Sequence, residues 1–170
     1  MKYILLVLCL FVIFLSLNCL CKNKKLIRGQ IAPAFSLCDA EGNIHNLSDF
    51  KGKKIALFFY PKDGTPYCTQ EACSLRDNYG LLEQHGITVI GISADKPKKH
   101  QAFIEKHKLP FLLLSDPQQK VIKEYGTKGF IFNDRVTFCI NPDGTIACVI
   151  DKVNVRNHAK QIIDCFNKQK

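Results

Sequence analysis

Three stretches of this chain are apolar with almost no interruption, and each ends at a turn signal. Residues 54–60 read KIALFFY and stop at Pro61, residues 87–93 read ITVIGIS, and residues 111–115 read FLLLS before Asp116–Pro117. Runs of this length, rich in β-branched and aromatic residues, predict strands buried on both faces, as in a parallel sheet. Between them the period changes to that of a helix. Leu75, Tyr79 and Leu82 mark a helix over 75–85 with Gly86 as its stop, and residues 97–107 carry Phe103 and Ile104 opposite a basic face, predicting a surface helix. Asp116–Pro117 reads as the N-cap and first turn of a helix through Tyr125, closed by Gly126. Short alternating segments flank this core. Residues 34–37 and 44–47 surround a polar turn, residues 135–140 and 145–150 surround Asn141-Pro142-Asp143-Gly144, and each pair predicts a hairpin. An amphipathic helix over 156–166 ends the chain. The order predicts an α/β domain: a mixed central sheet with helices on both faces and an N-terminal β-hairpin.

One apolar run does not fit that scheme. Residues 3–17 (YILLVLCLFVIFLSL) lie at the extreme N-terminus and are too long for a core strand. Three readings stand side by side: a signal-peptide core, a retained membrane anchor at the short end of what spans a bilayer, or a lipoprotein signal with Cys19 as the lipidated residue. The resulting division is an N-terminal signal or anchor over 1–21, a linker over 22–30, and one domain over 31–170. Lys22, Lys24, Lys25 and Arg28 follow the run, which by the positive-inside rule would keep the domain cytoplasmic. A signal peptide would export it. The expectation adopted is a membrane-associated or exported protein, with residues 3–20 as the contact to the membrane and a cytoplasmic location as the alternative.

Composition changes this picture little. With 170 residues, one domain is the natural prior. The formal net charge is +9, but the lysines are scattered, and neither an arginine-rich helix nor an aromatic–basic stripe is present. A solvated basic surface is therefore the reading, and nucleic acid is not a predicted partner. The nine cysteines show no C-x-x-C and no zinc-type pair of doublets. Cys38, Cys139, Cys148 and Cys165 sit singly among apolar residues and read as buried, inert thiols. His45, His85, His100, His107 and His158 are scattered, fit surface positions and suggest no metal site. Asp95, Asp116 and Asp143 read as caps or turn residues.

The chemistry concentrates in residues 58–77, FFYPKDGTPYCTQEACSLRD. Thr65–Pro66 matches a helix start, with Thr as N-cap and Pro at the first helical position. Cys68 then falls in the first turn, where unpaired N–H groups and the positive end of the helix dipole favour an anionic sulfur. The exit of a buried strand is also where α/β folds form their ligand crevice. Cys73 is five residues on. In an intact helix, residues i and i+5 lie about 140° apart, with Cα atoms roughly 8–9 Å apart, and a disulfide needs less than about 7 Å. The two thiols can therefore pair only if the helix opens, so a resting disulfide is disfavoured and a transient one remains available.

Pro61-x-x-x-Thr65-x-x-Cys68-x-x-Glu71 resembles the peroxiredoxin signature, and FYPKDGTPYCTQEA is similar to its bacterioferritin-comigratory (PrxQ-type) branch. The resemblance covers about residues 26–168 and includes Pro33-Ala34-Phe35, Ser115-Asp116-Pro117, Tyr125-Gly126 and Arg135-x-Thr137-Phe138. It implies a thioredoxin-like fold and a thiol-dependent peroxidase acting on hydrogen peroxide and organic hydroperoxides. It further implies Cys68 as the peroxidatic cysteine, Thr65 as a hydrogen-bonding partner of the peroxide and thiolate, and Pro61 as a shield of the sulfur from water. Arg135 would hold the thiolate and polarise the peroxide, and Glu71 would orient Arg135. Cys73 would be the resolving cysteine, with a thioredoxin-type reductant restoring it. No metal, haem or flavin cofactor is implied, and a monomer is expected. The chain departs from the branch at Tyr67, where Gly is usual, and in a short segment between Gly126 and Arg135.

Two other functions stay in view. A membrane-anchored thioredoxin-like disulfide oxidoreductase would want C-x-x-C, which is absent. A copper-binding chaperone of the same fold would want C-x-x-x-C with a suitable histidine, and neither is evident.

Overall fold

The computed structural model describes residues 26–168. The predicted N-terminal signal or anchor, and the linker up to Lys25, lie outside the described residues. No helix among the described residues is long and apolar enough to cross a membrane.

Seven strands form one sheet: β1 (Ser36–Cys38), β2 (Ile44–Asn46), β3 (Lys54–Phe59), β4 (Ile87–Ser93), β5 (Leu112–Ser115), β6 (Val136–Ile140) and β7 (Ile146–Ile150), in the spatial order β2-β1-β5-β4-β3-β6-β7. The three continuous apolar runs are the central parallel strands: β3 pairs β4 and β4 pairs β5 in parallel. Both hairpins pair antiparallel and extend the sheet at its two edges. Five helices cover it: α1 (Pro66–Asp77), α2 (Tyr79–Gln84), α3 (Pro97–His107), α4 (Lys120–Glu124) and α5 (His158–Asn167). This is the predicted mixed α/β architecture, of thioredoxin-like type.

The alternation of β3 divides the core in two. Phe58 joins the cluster under α1, α2, α3 and α5 with Leu75, Phe103, Phe111 and Ile162. Leu57 and Phe59 join the other, with Ile90, Val121, Tyr125 and Phe138. Successive strand side chains point to opposite faces, so a strand apolar throughout must be covered on both. Gly91 in β4 lies opposite Phe58 and Leu113. A methyl group there would fall 2.6 Å from each of those side chains. Its missing Cβ is what leaves room for the Phe58 ring and the Leu113 side chain.

Four local expectations need correction. The helix expected over 75–85 is two helices, because Asn78 adopts φ −110°, ψ 14° and its side-chain amide donates to the Ser74 carbonyl at 2.8 Å, closing α1. Asp116–Pro117 forms a turn rather than a first helical turn. Gln119 takes φ 55°, and α4 starts only at Lys120, with the Asp116 carboxylate accepting from the amides of Lys120 and Ile122 at 3.0 and 2.9 Å. In α3, which spans the expected residues and buries Phe103 beneath a basic outer face, His100 is buried rather than at the surface. Finally, Cys148 and Cys165 are not inert thiols: packing of α5 on β7 brings their Cα atoms to 6.1 Å and they form a disulfide. Cys139 is the buried, inert thiol expected, and burial pushes it well above the ordinary range. Cys38 is half-buried.

Candidate active site

Strand β3 ends at the Tyr60–Pro61 step, and the loop to Thr65 is fixed from below. The Tyr60 hydroxyl donates to Asp63 at 2.7 Å, His100 Nδ1 lies 2.7 Å from the other Asp63 oxygen, and the Asp63 amide donates to Asp95 at 2.7 Å. Tyr60, Asp63 and His100 are all buried. Burial first, then the charge of Asp63, drives the Tyr60 phenol well above its usual pKa, so it stays a donor. The loop that carries the helix start is thus held by a satisfied polar network.

From there α1 begins as predicted. Thr65 has the extended backbone of an N-cap (φ −75°, ψ 149°) and Pro66 is the first helical residue. The Thr65 side chain does not cap the helix; its hydroxyl donates to the Lys62 carbonyl at 3.0 Å. Donation in that direction leaves the hydroxyl lone pairs free to accept a hydrogen bond from an incoming group. Cys68 is the third helical residue and 2% exposed. Pro61 is half-buried at the strand exit, while Tyr67 lies 70% exposed.

Arg135 comes from just before β6, 67 positions away, and its Nη2 donates to the Cys68 sulfur at 3.2 Å. Its Nη1 is paired with Glu71, one turn after Cys68 on the same face of α1. Burial by itself would depress the guanidinium pKa, but the Glu71 charge, with Cys68, outweighs it and raises it. A permanently charged guanidinium held against a buried sulfur can stabilise a thiolate and a second developing anion beside it.

Cys73 faces elsewhere. Helix α1 is unbroken from Pro66 to Asp77, and both Cys68 and Cys73 are free. The Cys73 sulfur lies 3.8 Å from His107 Nδ1 on α3, and Arg76 donates to the His107 carbonyl at 2.7 Å. The structure therefore brings Cys68, Glu71 and Arg135 into contact at the start of α1, with Thr65 as the preceding N-cap residue and Pro61 at the strand exit, and leaves Cys73 on the α3 side.

Two residues escaped the sequence reading. His100 and His158 are fully buried rather than at the surface. His158 opens α5 and touches both Glu71 and Thr137. The apolar and helix-capping context of Asn157-His158-Ala159 carried the only signal. The short segment before Arg135 exposes three consecutive apolar residues, Phe130, Ile131 and Phe132.

A family model described as AhpC/TSA family matches residues 28–149. Peroxiredoxin Bcp of Escherichia coli (strain K12) is 42% identical over 144 residues, covering 80% of this chain and 92% of its own length. Among solved structures, Peroxidoxin BcpB from Mycobacterium tuberculosis superposes with a TM-score of 0.79 at 30% identity, over 85% of this chain and 99% of that one. A mutant of Xanthomonas campestris Peroxiredoxin Q does so with a TM-score of 0.74 at 26% identity, over 80% and 92%.

Proposed function

This chain belongs to the AhpC/TSA family, and from that premise we propose that Cys68 is its peroxidatic cysteine, with Thr65, Pro61, Arg135 and Glu71 as the surrounding site and Cys73 as the resolving thiol. The protein is a thiol-dependent peroxidase of the Bcp/PrxQ kind. The observation that carries the site assignment is the Arg135 Nη2–Cys68 sulfur contact of 3.2 Å at a helix N-terminus.

The chemistry follows from that geometry. The Cys68 thiolate attacks one oxygen of ROOH, the S–O bond forms as the O–O bond breaks, and sulfur gives up two electrons. The departing alkoxide takes a proton and leaves as ROH. Arg135 stabilises negative charge on both sulfur and oxygen, and the Thr65 hydroxyl accepts from the peroxide O–H. The product is a sulfenic acid. Cys73 then attacks that sulfur, the S–S bond forms, the S–O bond breaks and water leaves. A thioredoxin-type dithiol returns two electrons and restores both thiols. Because α1 is intact in the reduced protein, the second step requires the helix to open.

The alternative of a membrane-anchored disulfide oxidoreductase finds no C-x-x-C in the sequence, and the relatives reported above are named as peroxiredoxins. We infer further that the domain works outside the cytoplasm as a monomer. The apolar run over 3–17 supports export, and so does the Cys148–Cys165 disulfide, a bond that persists in oxidising compartments. The division into an N-terminal segment over 1–21, a linker and a catalytic domain is part of the same reading.

The test of function is turnover of hydrogen peroxide and an organic hydroperoxide with thioredoxin and its reductase, comparing the native chain with Cys68→Ser. Loss of all turnover in the variant is the expected result; retained turnover would move the chemistry to another thiol. For location, the intact mass of the native protein decides. Lipid on Cys19 or a cut near Cys21 supports export, whereas an intact Met1 with all protein in the cytosol contradicts it.

A further inference from the structure

Glu71 has two oxygens, and only one is used by Arg135. Its other oxygen, Oε1, lies 3.2 Å from His158 Nδ1. Both atoms are fully buried, and among the described residues neither completes a hydrogen bond, with the other or with any further group. Two bare lone pairs at that separation in the core would each forfeit their hydration with nothing in return, which costs free energy. A proton on Nδ1 removes the conflict.

The other ring nitrogen fits that state. His158 Nε2 is 2.8 Å from the Thr137 hydroxyl, itself buried. A hydroxyl can donate to a bare Nε2 or accept from a protonated one, so Thr137 serves the neutral Nδ1–H tautomer and the imidazolium alike. Thr137 is the second residue of β6, two positions after Arg135. On the β3 side the Phe58 ring meets the imidazole edge-on, with centroids 6.2 Å apart. Among the described residues, the charged group paired with the imidazole is Glu71 from α1, with Arg135 behind it.

We propose that His158 is a positioning residue of the peroxidatic site, holding the second oxygen of Glu71 through Nδ1–H so that the first oxygen fixes Arg135 against Cys68. The chain of contacts Thr137–His158–Glu71–Arg135–Cys68 makes the start of the C-terminal helix part of the machinery. This rests on the assignment of Cys68 as the peroxidatic residue. Without the Nδ1 proton, Glu71 keeps an uncompensated buried oxygen. It then rotates or takes up a proton, and Arg135 loses the partner that aims it.

The test compares His158→Leu, His158→Asn and His158→Gln. The amide nitrogen of Asn reaches the place of Nδ1, and that of Gln the place of Nε2. Quenched-flow mass analysis measures Cys68 oxidation by hydrogen peroxide from pH 5 to 9, and circular dichroism checks folding. Losing a hydrogen bond to a buried charge predicts an oxidation rate about 10- to 100-fold lower at neutral pH for His158→Leu. The pH profile should move upward, and His158→Asn should recover most of the rate while His158→Gln does not. A folded His158→Leu with the native rate and pH profile overturns the proposal. If His158→Leu does not fold, the amide pair decides: Asn faster than Gln supports it, and equal rates overturn it. Failure of the native protein to oxidise at Cys68 is a separate outcome, which removes the site assignment before any variant is compared.

Discussion

Two pairs of cysteines in this molecule contrast sharply. Cys68 and Cys73 are five residues apart and both free, whereas Cys148 and Cys165 are seventeen apart and bonded. Closeness along the chain does not decide pairing. The first pair shares an intact helix, whose geometry keeps i and i+5 too far apart and points them to different neighbours. Cys68 meets Arg135 and Cys73 meets His107. The second pair lies on two elements that pack together for apolar reasons, β7 and α5, beside the inert Cys139. One pair is held apart among charged groups and stays reactive. The other is closed within the core and acts as a staple.

Substitutions can break that contrast. Cys68→Ser should reduce peroxidase turnover by at least about a thousandfold, since no other thiol among the described residues has its setting. Cys73→Ser should leave the first oxidation of Cys68 within about twofold of native, because Cys73 does not touch the site. Turnover should then stop after one equivalent, with a persistent sulfenic acid detectable by dimedone labelling. Continued turnover would make Cys73 a bystander. Cys148→Ser should do the opposite: little change in the rate of Cys68 oxidation, but a loss of about 3 kcal/mol in stability by urea unfolding, as expected for a crosslink closing a loop of this size.

Hydrogen exchange sharpens the motion. Amides of α1 should be protected in the reduced protein and lose protection once peroxide has driven Cys68–Cys73 pairing, while α5 keeps its protection.

The smallest effect concerns the loop below Cys68. Burial would raise the Asp95 carboxyl pKa, but hydrogen bonds from Lys99, the Asp63 amide and Ser93 outweigh it and hold the value below the ordinary 3.8. A carboxyl lowered on folding stabilises the fold above its unfolded value. That contribution fades as pH falls through the folded value. Asp95→Asn should therefore flatten the acid limb of a stability–pH curve and leave the neutral region's slope alone.

Much of this was legible in the sequence. The three buried strands, both hairpins and the helix start at Thr65–Pro66 followed from periodicity and turn residues, because each is a local property of a few neighbours. The Thr65, Cys68, Glu71 and Arg135 set was readable through its resemblance to a family signature. What stayed hidden depends on tertiary approach. Nothing local told that Cys148 and Cys165 meet, since their distance is set by how α5 settles on β7. His100 and His158 looked like surface residues because the acids they lie against, Asp63 and Glu71, are 37 and 87 positions away. Asn78 ended α1 early through a side-chain bond to Ser74, which a period of 3.6 does not register.

The central claim is that, among the free thiols of the described residues, Cys68 alone is built to react with peroxide. Reduced protein mixed with one equivalent of hydrogen peroxide, quenched within milliseconds and mapped by peptide mass, tests it directly. The account predicts one added oxygen on Cys68 first, followed by its loss as a Cys68–Cys73 disulfide appears, with Cys38 and Cys139 unchanged. Oxidation of Cys38, Cys73 or Cys139 ahead of Cys68 would contradict it.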